Sequence, residues 1–270
     1  MPEQLVPVPP PPKGIVPARP SASVILVRDG PAGLETFMVR RHAEQSVNPN
    51  VYVFPGGTVR ADDTDLAWPS PPEDLCARSD AAIEPDQARA VYACAIRELF
   101  EEAGVLLVRD APDHVLVVDD DLADELAAAR SEIQAGARPF HSLLESWRPA
   151  FDLLVPFSHW VTPTAAPARF DTWFFVARLP ERQVALHLEI ETSDGAWLSP
   201  SRLLDPSARG PFTLVFATEQ HVRRIAPFAD VASLLDFAAT KRIRRLQPEL
   251  MQDAAGQRVP RLEPKLVDAW

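Results

Sequence analysis

The chain is short of three things. It has only two cysteines, Cys76 and Cys94, in 270 residues. At most one disulfide can form, and the pair has no metal-binding or redox spacing; Cys94 reads as a buried free thiol. Positive charge is also scarce, with 27 lysines and arginines against 38 aspartates and glutamates, a net charge of −11 and a pI near 5.0. This argues against a general affinity for nucleic acid, whose phosphates need cationic partners. It does not argue against a small phosphorylated ligand, because a divalent metal can supply positive charge locally. Long apolar runs are the third absence: none approaches the roughly 18 residues of a membrane-spanning helix. The first stretch, "MPEQLVPVPPPPKGIVPARP", lacks the apolar and basic regions of a signal peptide. Its prolines predict a flexible, polyproline-like arm over residues 1–20. The ending "LVDAW" is not a peroxisomal address, so a cytoplasmic location is expected, with no membrane and no nucleic-acid partner.

What is present suffices for a core, since hydrophobic residues make up 46% and charged residues 24% of the chain. "ASVILVRD" (22–29) and "ETFMVRRH" (35–42) flank the turn signal "GPAG" and predict a hairpin. "NVYVFPGG" (50–57) reads as a short buried strand broken by proline and glycine, and 58–85 as a loop insertion. A helix is expected from about Asp86 to Ala103, ended by Gly104. Residues 118–147 read as a helix, a break at Gly136 and a shorter helix, with Asp119 to Asp121 suited to the helix start. "LLVPFSHWVTP", "RFDTWFFVARLP" and "VALHLEI" are strand candidates, and "DGAWLSPSRLL" passes from strand into a helix capped by Ser199. Two helices, about 212–225 and 229–240, precede a hairpin across "DAAG" (253–256). There is no repeat, and the order of elements fits an α+β layered domain better than a regular βαβ series.

"AIRELFEEAGV" (95–105) is the unusual stretch. On a helix, Glu98, Glu101 and Glu102 fall on one side, beside an apolar stripe of Ala88, Val91, Ala95 and Leu99. The carboxylates are thereby expected at the rim of a packed face. Like charges at this spacing cost a few tenths of a kcal/mol per pair when exposed, and more when partly buried. A hard divalent ion reverses that cost, because it prefers carboxylate oxygens. Taken alone, the run also reads as a solvated acidic face with Arg97 pairing to Glu101.

The residues around it carry a resemblance. "RELFEEAGV" matches the second half of the Nudix box at every specified position, and "PGG" at 55–57 matches its start. A chance match to the helical half is expected about once in 10⁴ chains of this length, from average residue usage. The sequence therefore resembles the Nudix hydrolases, with the resemblance spanning about residues 21–210. One departure stands out. Where the box carries a glutamate six residues after its second glycine, this chain has Asp63, and 33 residues rather than seven separate it from Arg97. The box is split by an insertion of about 26 residues. The split and "HWVTPTAAPARFDTWFFVARLP" (159–180) resemble the subgroup that includes a mammalian peroxisomal coenzyme A diphosphatase.

The resemblance implies an α/β/α sandwich with a mixed sheet over 21–210, containing the insertions 58–85 and 118–147, with 211–270 packed on the same domain. It implies hydrolysis of a diphosphate linkage, with Mg²⁺ or Mn²⁺ held by Glu98, Glu101, Glu102 and the Gly56 carbonyl. Arg97 would orient the carboxylates. The base would be one of the glutamates or a downstream acid, Glu189, Glu191 or Asp194. Arg41 and Arg169 are candidates for substrate phosphates, since arginine's fork fits phosphate oxygens. Phe170, Trp173 and Phe174 read as core, and His159 and His221 as structural. The small-molecule substrate is coenzyme A or an acyl-coenzyme A, or, with the same chemistry, a nucleotide sugar, NADH or a dinucleoside polyphosphate. A non-catalytic binding protein on the same scaffold is the reading from another class. The helices at 118–147 and 212–240 are free to cover the cleft, to form a homodimer interface, or both.

Overall fold

The computed structural model describes residues 5–43, 49–65, 68–72, 74–187, 192–267 and 270. In chain order its elements are β1 (Val6–Pro7), β2 (Arg19–Gly30), β3 (Gly33–Arg41), β4 (Tyr52–Val53), β5 (Gly56–Thr58), α1 (Asp74–Arg78), α2 (Pro85–Ala103), β6 (Val108–Ala111), β7 (His114–Val115) and α3 (Asp120–Gln134). There follow β8 (Arg148–Pro149), β9 (Val155–Val161), β10 (Phe170–Arg178), β11 (Thr192–Leu198), α4 (Pro200–Leu204), α5 (Phe216–Ile225), α6 (Val231–Thr240), β12 (Arg245–Leu246), β13 (Glu249–Gln252) and β14 (Arg258–Arg261). None of the described helices is long and apolar enough to cross a membrane.

The central sheet is mixed, in the order β11-β3-β2-β10-β9-β12, with β4 on β3 and β5 on β2. β10 runs parallel to β2, and β12 parallel to β9, while the other pairs are antiparallel. The period-2 pattern of β2 divides the core. Ala22, Val24 and Leu26 face α2, whereas Ile25 and Val27 face α5 and α6 on the opposite side. The result is the expected α+β sandwich.

Three expectations need correction. The proline-rich stretch is not a free arm: Val6 and Pro7 pair with Gln252 and Met251, and Val8 N–H donates to Leu250 O. Proline removes a donor but keeps its carbonyl, which an edge strand tolerates. The insertion over 58–85 is not simply a loop, since it holds a 3-10 turn at Ala61–Thr64 and α1. Trp68 lies between Phe140 and Phe151, with ring centroids at 6.0 and 5.9 Å, and Leu75 is fully buried, so the insertion is packed into the core. "VALHLEI" forms no strand over 184–187, and its remaining residues lie outside the described ones.

α2 starts with Pro85 in its first turn and ends at Gly104, whose φ of 71° is the left-handed cap that glycine reaches at low cost. His221 is a structural histidine of the core. Its Nδ1–H donates to Ala217 O at 2.7 Å and Nε2 accepts from the Ser158 hydroxyl at 2.6 Å. Burial lowers its pKa from 6.5 to about 3.

Two predictions arise here. Replacing Gly104 with alanine forces a Cβ into left-handed backbone and to 2.9 Å from Arg130 Nη1. Urea unfolding is expected to show a loss of about 1–2 kcal/mol. The second concerns acid. Because the folded pKa of His221 lies below the unfolded 6.5, the unfolded chain binds the extra proton and stability falls as pH drops from 6.5 toward 3. The slope from this group reaches about 1.4 kcal/mol per pH unit, and His221→Gln is expected to remove that part of the acid limb in denaturant titrations at stepped pH.

Candidate active site

The site is built where β5 meets α2. Gly56 and Gly57 pair with Ser23 and Ala22 of β2, and both need to be glycine. A Cβ on Gly57 would run into the Glu98 carboxylate, 2.6 Å from its Cδ, and one on Gly56 would come 2.7 Å from Ser23 Cα. The absent side chains let a helix carboxylate approach the strand backbone directly. Gly56 N–H donates to Glu102 Oε2 at 2.9 Å, which fixes that carboxylate.

The carboxylates are not at a rim. Glu98, Glu101 and Glu102 are only 4%, 1% and 7% exposed, because the insertion and α3 cover the outer side of α2. Arg97 lies among them. Its Nε and Nη2 donate to the two oxygens of Asp63, each at 2.8 Å, and Nη1 donates to Glu98 Oε1 at 2.6 Å and to Glu101 at 3.3 Å. Nη2 also donates to Thr58 O at 3.1 Å. Burial would lower the pKa of Arg97, but the Asp63 hydrogen bonds and the Glu98 charge outweigh it and hold the pKa above the ordinary arginine value. Asp63, fully buried, thus occupies the bidentate place opposite Arg97 despite the 33 residues between them. The insertion loops out and returns without breaking the site.

Three side chains beyond the motif complete it. Arg60 Nη1 donates to Glu101 Oε1 at 3.1 Å, and its Nη2 lies 3.9 Å from Glu98 Oε1. From α3, Arg130 Nε and Gln134 Nε2 donate to the Glu101 carbonyl at 2.9 and 2.6 Å, securing the last turn of α2. Sequence reasoning missed all three. Only the aspartate at the box position of a glutamate was a visible signal, and it pointed to Asp63 without naming its partner.

The donor set suits a hard divalent ion. All its side-chain donors are carboxylate oxygens: Asp63, Glu98 and Glu101 lie against the guanidinium groups of Arg97 and Arg60, and Glu102 accepts from Gly56 N–H. Among the described residues, no three histidine, cysteine, aspartate or glutamate side chains are already gathered around one point. The arginines account for this, since they draw Glu98 and Glu101 toward themselves, while Glu102 faces Gly56.

Gly56 and Gly57 also line a cleft of about 520 Å³ on the other side of β5, bounded by Ser21, Phe54, Trp160, Phe170, Phe174 and Phe216, with Arg41 at its wall. Phe170 faces the cleft; Phe174 belongs to the buried core and also lines the cleft, and Trp173 is core and stacks on His159 with centroids 4.1 Å apart. Arg169 is placed elsewhere. It is buried, with Nε and Nη1 donating to the carbonyls of Thr162 and Val16 at 3.1 and 2.8 Å, so its fork ties down the N-terminal stretch instead of reaching the cleft. Asp194 accepts from the Tyr52 hydroxyl at 2.6 Å and from Gly195 N–H at 2.8 Å, one bond on each carboxylate oxygen. Burial, then the Asp194 bond, raises the Tyr52 pKa to about 12. Glu189 and Glu191 lie outside the described residues.

Asp63→Ala would leave Arg97 charged, buried and half unpartnered, and is expected to cost about 3–5 kcal/mol. Chemical denaturation of the single and double Asp63 and Arg97 variants, read as a cycle, measures the coupling; independent, additive losses would contradict the pairing.

Comparison with known proteins places the chain among relatives. Residues 73–210 match the NUDT19 Nudix domain model, a span that contains α2 but begins after the "PGG" turn and Asp63. The chain is 27% identical over 267 residues to the acyl-coenzyme A diphosphatase NUDT19 of Homo sapiens, covering 85% of this chain and 71% of that protein. It is 24% identical over 244 residues to the Xenopus laevis protein of the same name, covering 77% of this chain and 64% of that protein. A crystal structure of a NUDIX hydrolase from Alicyclobacillus acidocaldarius shares the fold, with a TM-score of 0.62 at 23% identity, covering 82% of this chain and 96% of that one.

Proposed function

The chain belongs to the NUDT19 Nudix domain family, and from that premise we propose that it is a metal-dependent diphosphatase, with coenzyme A or an acyl-coenzyme A as the first candidate substrate. The observation that carries the reading is the buried carboxylate set oriented by Arg97, one glycine strand away from an aromatic cleft. In this reading Glu98, Glu101 and Glu102, with the Gly56 carbonyl, hold Mg²⁺ or Mn²⁺. The ion supplies positive charge and Lewis acidity to the diphosphate.

The residues of the chain do the rest. Arg97, anchored on Asp63, fixes Glu98 and Glu101 by charge-assisted hydrogen bonds and stays clear of substrate. Arg41 at the cleft wall binds phosphate oxygens through its fork. The aromatic side chains exclude water around the nonreacting part of the substrate, so that its binding contributes to orientation. In the hydrolysis, a water oxygen forms a bond to one phosphorus and the bridging P–O bond breaks. A glutamate of the set accepts the water proton, and both products leave as phosphate monoesters. Asp194 is left out of this role because both its oxygens already accept hydrogen bonds.

The test is an assay of the purified protein with Mg²⁺ or Mn²⁺ against coenzyme A, an acyl-coenzyme A, ADP-ribose, NADH and diadenosine polyphosphates, with products separated by chromatography. Cleavage of coenzyme A into 3′,5′-ADP and 4′-phosphopantetheine is the expected outcome. Glu101→Gln is expected to lower kcat by at least about a hundredfold, and Arg41→Ala to raise KM about tenfold, with kcat less affected. Undiminished turnover in Glu101→Gln would sink the catalytic reading.

A further inference from the structure

The two arginines that reach the carboxylates are built differently. Arg97 is fixed on every side, 3% exposed, and bonded to Asp63, Glu98, Glu101 and the Thr58 carbonyl. The side chain of Arg60 is 49% exposed and meets the cluster from solvent. Its backbone is fixed, because Arg60 N–H donates to Asp63 Oδ2 at 2.8 Å and Asp63 N–H donates back to Arg60 O at 3.1 Å. Its side chain is not enclosed, and it rests on Glu101, itself 1% exposed, by a single 3.1 Å hydrogen bond. A cation reaching Glu98 and Glu101 therefore meets a guanidinium already drawn to the same oxygens.

We propose that Arg60 is a displaceable internal counter-ion that holds Glu98 and Glu101 together in the metal-free protein and competes with the divalent cation for them. This rests on the reading of those carboxylates as metal ligands. Arg97 reaches both glutamates through Nη1 but is shared with Asp63, so without Arg60 one guanidinium faces three carboxylates, and Glu98 and Glu101 repel one another more strongly when no ion is bound. With Arg60 the site keeps its shape, at the cost of weaker metal binding. An exposed, charge-assisted pair is easily broken, so the side chain can swing into solvent on the fixed backbone of the 3-10 turn. Arg97 cannot do this, since leaving Asp63 would strand two buried charges.

The test measures Mn²⁺ binding directly, by the electron paramagnetic resonance signal of free Mn²⁺, in the wild type and in Arg60→Gln, Arg60→Lys and Glu101→Gln. Arg60→Gln is expected to bind Mn²⁺ about three- to tenfold more tightly, the competition of one partly exposed guanidinium being removed. It is also expected to melt at a lower temperature than wild type in EDTA and to gain more from added Mn²⁺. Arg60→Lys keeps a cation in reach and is expected to stay within about twofold of wild type. An Arg60→Gln protein that binds Mn²⁺ no more tightly than wild type overturns the proposal, provided Glu101→Gln weakens binding. If Glu101→Gln leaves Mn²⁺ binding unchanged, the metal site itself is wrong and the proposal falls with it.

Discussion

The site depends on one buried ion pair, the fork of Arg97 on Asp63. It joins two pieces of chain that the insertion separates by 33 residues. A buried arginine with no carboxylate would be too costly to keep, and a buried aspartate with no arginine equally so. Each therefore requires the other, and the packing of the insertion follows from that need. Trp68 between two phenylalanines and the fully buried Leu75 hold the returning chain against α2. Its Nε1–H donates to Asp62 O at 3.1 Å, which ties the aromatic anchor to the 3-10 turn that carries Asp63. The apolar contacts supply the stability, and the ion pair sets the register.

Once Arg97 is committed to Asp63, only Nη1 is left for the glutamates. That division leaves one Arg97 nitrogen shared between Glu98 and Glu101. It also explains the reach of α3 into the site. A helix whose last turn carries Glu101 and Glu102 puts negative side chains at the negative end of its own dipole. Arg130 and Gln134, donating to the Glu101 carbonyl, offset this from outside the helix. The insertion over 118–147 thereby acts on the site through the backbone of α2.

What the sequence made legible was local. α2, its proline start, its glycine stop and the side carrying three glutamates all follow from spacing within about twenty residues. The same is true of the first hairpin and of the Ser199 cap, whose Oγ accepts from Arg202 N–H. What the sequence left open was mostly through-space. The partner of Asp63 lies on another element, and so do the carboxylates beneath Arg60. The depth of the glutamates could not be read from the helix, because the elements covering them come from the two insertions. Arg169 was misread for a chemical reason: the fork that fits a phosphate fits backbone carbonyls as well, and the choice is made by what stands within 3 Å of it. The proline stretch was misread for a similar reason, since extended backbone suits both a free arm and an edge strand.

The carboxylate set on one side of the sheet and the cleft on the other are separated only by β5. Gly56 and Gly57 are the residues shared by both, touching Glu102 and Glu98 on the helix side and lining the cleft on the other. Any side chain at either position would fill the gap, as the overlap of a Gly57 Cβ with Glu98 demonstrates. With no side chains there, only backbone separates the acidic groups from the aromatic wall. Under the proposed function, a diphosphate joined to a larger group would lay its charged part at the strand edge and its remainder along Phe54, Trp160 and Phe216. Two adjacent glycines thus do for the acidic groups and the cleft what Asp63 does for Arg97: they bring close together groups that the chain keeps far apart.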